Sequence, residues 1–184
     1  MALRECMRQH SADRKLDRAA AYWMSGFALG QHGAGRDTPG GIESAFRKAM
    51  AKAKGTLAVV DPEANSYTRI WCCCEILAAI AARSQSAGEH RHDTYTVLEG
   101  GGAVGLADGL AEVDRDDPAR KASRELRFPL ALAELVLRKV AVEVAEASEP
   151  EDRRRLLNAI AGEPDSEAGP PREHERYEEA NHQL

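Results

Sequence analysis

The chain has 184 residues, a length typical of one domain with terminal extensions. Apolar residues make up 43% of it and aromatic residues only 5%, so we expect a core built mainly of aliphatic side chains. The formal net charge is −5 and resides entirely in residues 163–184, which argues against an electrostatic nucleic-acid surface on the balanced remainder.

Cysteine usage and the N-terminal sequence favour a reducing compartment. Three of the four cysteines are consecutive, at positions 72–74, where one helix cannot build an ordinary disulfide framework. Residues 1–20 lack the apolar core of a signal peptide, and no segment reaches the ~20 apolar residues that a membrane helix needs. We therefore expect a cytoplasmic or nuclear protein that contacts neither membrane nor nucleic acid.

The first half of the chain alternates helical and strand-like patterns. Its predicted elements are a polar helix over 3–20, a buried strand over 21–29, a helix over 42–54, a strand over 56–60 and a helix over 67–83. Gly55 stands where it would end the second helix. The glycine-rich stretch 32–41 is expected to form a loop.

The second half continues the alternation less regularly. Its predicted elements are a strand over 94–98, a glycine-rich loop over 100–109, a helix over 123–139, a strand over 140–144 and a helix over 152–161. Pro129 is expected to split or kink its helix. Residues 148–151, Ser-Glu-Pro-Glu, form a capping box, and Gly162 ends the last helix.

Alternating strands and helices predict an α/β fold with a small parallel sheet of four or five strands flanked by helices. We expect three regions, namely an N-terminal polar helix over 1–19, the α/β domain over 20–162 and an acidic, disordered tail over 163–184. Ligands of such sheets bind beyond the carboxyl ends of the strands, which here are the loops after Leu29, Val60 and Leu98.

The segment from Arg69 to Glu75, Arg-Ile-Trp-Cys-Cys-Cys-Glu, opens a helix directly after a predicted strand. This arrangement resembles the central part of Toll/interleukin-1-receptor (TIR) domains and their relatives, in diverged or incomplete form. A wider set of TIR-like proteins has an upstream strand with a tryptophan and a following glutamine, which would be Trp23 and Gln31. The resemblance covers residues 20–85 and implies a flavodoxin-like fold.

The resemblance implies a protein-interaction or signalling module that self-associates or docks a partner, and requires no cofactor. Enzymatic TIR domains use the glutamate at this position to cleave the nicotinamide–ribose bond of NAD, which would make Glu75 catalytic. A carboxylate suits that reaction because it can stabilise an oxocarbenium-like centre. Trp71, Arg69, Gln31 and Trp23 would then bind the ligand. The alternative is that Glu75 pairs with Arg69 or caps a loop and that Trp71 is core, and we favour the non-catalytic module.

The three adjacent cysteines are better explained by packing than by metal binding. Consecutive helical side chains point ~100° apart, so these thiols cannot converge on one ion. We expect Cys73 or Cys74 to join a core stripe with Ile70, Leu77 and Ile80.

A glycine motif and three short polar features complete the candidates. Residues 100–105, Gly-Gly-Gly-Ala-Val-Gly, match G-x-G-x-x-G and raise a third hypothesis, nucleotide or small-molecule binding through glycine-rich loops. No long helix follows, so a surface loop is favoured. His32, His90 and His92 are expected in exposed loops without a third metal ligand, and the basic run 153–155 on a solvated helix face.

Overall fold

The structure is a computed structural model that describes residues 2–24, 41–85, 90–106 and 118–184. In chain order its helices and strands are α1 (Ala2–Asp13), α2 (Gly41–Lys52), β1 (Gly55–Val60), α3 (Ile70–Gln85), β2 (Arg91–Val97), β3 (Ala103–Gly105), α4 (Pro118–Leu126), α5 (Leu130–Lys139), α6 (Pro150–Ala161) and α7 (Glu175–Gln183). Two 3-10 turns, Asn65–Thr68 and Val142–Val144, precede α3 and α6. The α/β class predicted from the sequence is confirmed.

The described residues form one open mixed sheet of three strands in the order β1-β2-β3. β1 and β2 are parallel, with Val60 opposite Thr96, and α3 lies between them in the chain as the crossover helix. β3 runs antiparallel to β2, with Tyr95 opposite Gly105. The prediction of a purely parallel sheet of four or five strands is therefore wrong for the described part of the chain.

The glycine-rich segment after β2 forms a hairpin turn, which explains part of this error. Gly101 and Gly102 have φ angles of +87° and +84°, a region that favours glycine. The Leu98 N–H donates to the Gly102 carbonyl at 3.0 Å, and the chain reverses into β3. The helix that a dinucleotide fingerprint requires at this point is replaced by a strand.

One other predicted strand is not formed, and the described part of another is irregular. Residues 140–144 contain a 3-10 turn instead, with Val142 fully buried and its N–H bonded to the Asn181 side chain at 2.8 Å. Residues 21–24 are irregular, and the rest of the strand predicted over 21–29 lies outside the described residues. α1 also ends earlier than predicted, shortly before Lys15, whose φ angle is +50°.

The C-terminal half confirms two predicted helix boundaries. Pro129 separates α4 from α5, because its ring cannot continue the preceding helix. Pro150 occupies the first turn of α6, and Gly162 ends that helix in the left-handed conformation. The capping box is not formed, since Glu149 is the N-cap residue and its side chain does not cap the first turn of α6.

The acidic tail contains an ordered helix where the sequence predicts disorder. In α7, Tyr177 and Ala180 are buried, and the Tyr177 hydroxyl donates to the Leu157 carbonyl at 3.2 Å. Leu184 packs against the same part of the core. These apolar residues are spaced so that they share one helix face. The many acidic residues around them make this pattern hard to recognise in the sequence.

The core has a cluster on each face of the sheet and a third among the C-terminal helices. α1 covers the face that carries Leu57 and Tyr95, whereas α3 and α5 pack on the face that carries Val60. The third cluster joins α3, α6 and α7. No helix in the described ranges is both long and apolar enough to cross a membrane.

Candidate functional site

The Arg-x-Trp-Cys-x-x-Glu motif lies just beyond the carboxyl end of β1. The Asp61 carboxylate accepts the backbone N–H groups of Glu63 at 3.1 Å and Asn65 at 3.0 Å. These bonds turn the chain away from the sheet and into the 3-10 turn before α3. Burial raises the pKa of Asp61, but the hydrogen bonds outweigh it and the net shift is downward. The carboxylate therefore stays ionised and holds the turn.

Arg69 connects the start of α3 to the segment before α6 through its backbone. It forms an isolated parallel bridge with Glu146, and the neighbouring Ile70 N–H donates to the Glu146 carbonyl at 2.9 Å. Its side chain is exposed. The main-chain bonds of the residues on either side of Arg69 thus fix the entry to α3, and the positive charge of Arg69 acts on Glu75.

Trp71, on α3, contacts two residues of α6. Its indole Nε1 donates to Asp152 Oδ2 at 3.2 Å, and the Arg155 guanidinium lies 5.4 Å from the ring centroid. The half-buried ring also packs against the cluster shared by α3, α6 and α7. These contacts place Trp71 at the interface between α3 and α6.

Glu75 stands one turn beyond Trp71 and is half-buried. Burial raises the pKa of its carboxyl, and the positive charge of Arg69 partly offsets that effect. Within the described ranges no hydrogen bond or ion pair engages this carboxylate, so Arg69 acts on it only through space. A carboxyl group in this state can exchange a proton closer to neutral pH than an exposed glutamate can.

The cysteines behave as predicted for core packing. Cys73 is buried, and its Sγ donates to the Tyr67 carbonyl at 3.4 Å. Burial raises its pKa to about 12, which keeps the thiol protonated and unreactive. Cys74 and Leu77 pack against the same cluster as Ile70. Among the described residues, no group of three or more potential ligands is arranged to hold a metal ion.

Trp23, one of the two upstream residues of the predicted ligand site, is not brought to this motif. Trp23 is 44% exposed and follows Tyr22, whose hydroxyl lies 2.7 Å from His10 Nδ1 in α1. Since α1 and α3 cover opposite faces of the sheet, Trp23 belongs to the α1 side and Glu75 to the other. Gln31 lies outside the described residues.

A buried polar cluster between α1 and β2 is the main feature that the sequence prediction missed. Asp93 is 2% exposed and accepts His10 Nε2 at 3.0 Å and Arg14 Nε at 2.8 Å on the same oxygen, while a second Arg14 nitrogen reaches its other oxygen. Burial alone would raise the pKa of Asp93, but the hydrogen bonds and charges of His10 and Arg14 lower it to about 2. The three residues form a buried, charged connection between helix and sheet, which we call the α1 clamp.

A second set of bonds extends the α1 clamp. The Tyr95 hydroxyl donates to Asp13 Oδ2 at 2.9 Å, and Gln9 donates to the other oxygen of Asp13 at 3.0 Å. His10, Asp13 and Arg14 are spaced three and four residues apart, which places them on one helix face. That spacing is visible in the sequence, but a charged face is normally taken to be solvent-exposed.

His90 and His92 are buried, so the prediction of exposed loop positions is wrong for both. β2 begins at Arg91, three residues earlier than predicted, and brings both histidines to the face with Thr56 and Thr94. His92 Nδ1 is the one buried side-chain nitrogen or oxygen without a hydrogen-bond partner in the described ranges. Burial also lowers the pKa of His92 and favours its neutral form. His32 lies outside the described residues.

The basic run on α6 is bonded rather than solvated. Arg153 donates to the Ala145 carbonyl at 2.9 Å and Arg154 to the Ser166 carbonyl at 2.9 Å, while Arg155 contacts the Trp71 ring. All three are half-buried. The run therefore ties α6 to its neighbouring segments and forms no free basic patch.

Together, the fold and site define a small α/β domain whose motif helix, α3, contacts both the sheet and the C-terminal helices. Comparisons with protein-family models, with curated proteins and with solved structures find no match to this chain.

Proposed function

We propose that the protein is a self-associating interaction module whose contact surface is the outer face of α5, defined by Leu130, Glu134, Leu137 and Arg138. The observation that carries this proposal is the concentration of exposed apolar side chains around α5. Among the described residues, five of the seven large exposed hydrophobic side chains fall within residues 126–144. Single exposed apolar residues are ordinary, but a local concentration is typical of an interaction surface.

The opposite side of α5 already packs against the core. Leu132, Leu135 and Val136 pack against the cluster that contains Val60 and Ile76. Leu130 and Leu137, 64% and 79% exposed, are seven residues apart and so lie on one stripe turned away from that core. A helix in a protein of this size needs one apolar stripe to fold, so a second stripe indicates a second contact.

Two further observations support this function. The Arg69–Glu75 motif resembles TIR domains, many of which act as scaffolds, and Trp71 has the bonding of an interface residue rather than of a pocket wall. The four cysteines are all free, which fits the reducing cytoplasm as the place of action.

The test is the mass of the protein in solution as a function of concentration. Sedimentation equilibrium of the unaltered chain should show reversible association, and the double variant Leu130→Asp/Leu137→Asp should remain monomeric. Leu3→Asp, which changes an exposed leucine of α1, is the matched control and should associate normally. Equal association of all three proteins would reject the outer face of α5 as the contact surface.

A second candidate, NAD glycohydrolase activity, is favoured by the state of Glu75. This carboxylate is half-buried, has a raised pKa and lies beyond the carboxyl end of β1, where α/β sheets bind ligands. NAD would be its substrate rather than a cofactor. The bonding of Trp71 to α6 weighs against it, because the ring is then committed to the helix interface.

A further inference from the structure

The outer face of α5 carries an acidic residue before Leu137 along the helix and a basic residue after it. Glu134 lies three residues before this leucine and Arg138 one residue after it, and at helical spacing both lie on the same flank of the Leu130–Leu137 stripe. Their side chains are 55% and 75% exposed and pair within the helix at 3.4 Å. Such an exposed pair is held weakly and can exchange partners readily.

We infer that α5 pairs with α5 of a second copy of this chain in antiparallel orientation, with the two Leu137 side chains in contact next to a twofold axis. This inference rests on the proposed self-association and adds its geometry. In a twofold contact the same surface is used on both copies, so it must be self-complementary.

Charge complementarity selects the antiparallel arrangement. When the twofold axis passes at the level of residue 136, Glu134 of each copy stands level with Arg138 of the other. A parallel arrangement instead sets Glu134 level with Glu134 and Arg138 level with Arg138, and forms no opposite-charge pair at equal height. The antiparallel register also leaves each Leu137 about one residue from the axis, within reach of its counterpart.

The composition of this face disfavours other occupants. It carries one acidic and one basic side chain, which gives neither the positive excess that binds nucleic acid nor the basic stripe of a membrane-surface helix. The next cation, Lys139, is turned to the other side, where its Nζ bonds the Glu63 carbonyl. A second copy in this register covers Leu137 and pairs the two charges of the face.

Site-specific disulfide formation in the full chain tests the geometry. Under mild oxidation Leu137→Cys should form a covalent dimer, and an equimolar mixture of Glu134→Cys and Arg138→Cys should form a mixed dimer. Leu130→Cys is the negative control, because two residues at this position would lie roughly 18 Å apart along the helices. The unaltered chain gives the background from its own cysteines, of which Cys6 and Cys73 are buried.

Each result separates the geometry from the association itself. Leu137→Cys and mixed-pair dimers without a Leu130→Cys dimer would support the antiparallel contact. A covalent Leu130→Cys dimer would instead indicate parallel helices and overturn the inference while leaving self-association intact. Association of the unaltered chain with no cross-link in any variant would overturn it in the same way. A strictly monomeric unaltered chain at high concentration would reject both the inference and the proposed function.

Discussion

Removal of the Asp93 carboxylate should be among the most destabilising single changes in this protein. Asp93 and its partner Arg14 are both buried, and Asp93→Ala would leave the guanidinium and His10 without their shared acceptor. Breaking a buried ion pair on one side typically costs about 3–5 kcal/mol of unfolding free energy, because a buried charge stays uncompensated. Separately, the lowering of its pKa from the usual 3.8 to about 2 means that the fold favours the ionised over the protonated carboxyl by roughly 2 kcal/mol.

The same residue sets the acid stability. Because the folded-state pKa of Asp93 is depressed, its contribution is fully present above its unfolded-state pKa near 4 and is lost as the pH falls towards 2. The unaltered protein should therefore lose stability across this window, and Asp93→Asn should lose less there while starting from a lower value at pH 7.

Urea denaturation followed by circular dichroism at pH 7 and through the acid range measures both effects. Glu5→Gln is the matched control, because Glu5 pairs with Arg8 on the exposed side of the same helix. Its transition midpoint should stay close to that of the unaltered chain. If Asp93→Ala also unfolded within about 0.5 kcal/mol of the unaltered chain, the α1 clamp would not hold α1 to the sheet.

Three further changes test other parts of the structure. His92→Leu should leave the unfolding free energy unchanged or raise it, because it removes the buried nitrogen without a partner; a loss above about 1 kcal/mol by urea denaturation would mean that Nδ1 is satisfied in solution. Tyr177→Ala should cost about 3–5 kcal/mol in the same assay, since its ring is buried under α7, whereas an unchanged midpoint would mean that the tail is not docked. Nicotinamide release from NAD, followed by chromatography at high protein concentration, should be absent in Glu75→Ala if the unaltered chain is active; release by neither protein would exclude the glycohydrolase function.

Secondary structure is predicted best from the sequence where the local pattern of apolar residues matches the burial found in the structure. α3 is predictable because Ile70, Cys73 and Leu77 recur at helical spacing, and β1 because a β-branched run follows Gly55. β3 has only three residues and forms through its pairing with β2, so the glycines before it predict only a loop.

Other features depend on contacts between distant segments, which local pattern does not contain. The run 140–144 has strand-like side chains, yet burial of Val142 and the bond that its N–H donates to Asn181 select a 3-10 turn. The α1 clamp is made of polar residues that pattern assigns to solvent, and its partners lie about 80 residues apart. The outer face of α5 could not be assigned either, since the sequence alone does not show which apolar stripe meets the core.

The most direct test of self-association is the sedimentation equilibrium of the unaltered chain beside Leu130→Asp/Leu137→Asp. We predict that the average mass of the unaltered chain rises from one towards two chain masses with concentration, while the double variant stays at one. A single-chain mass for the unaltered protein at every concentration, or an equal rise for the double variant, would contradict the proposal that α5 is the contact surface.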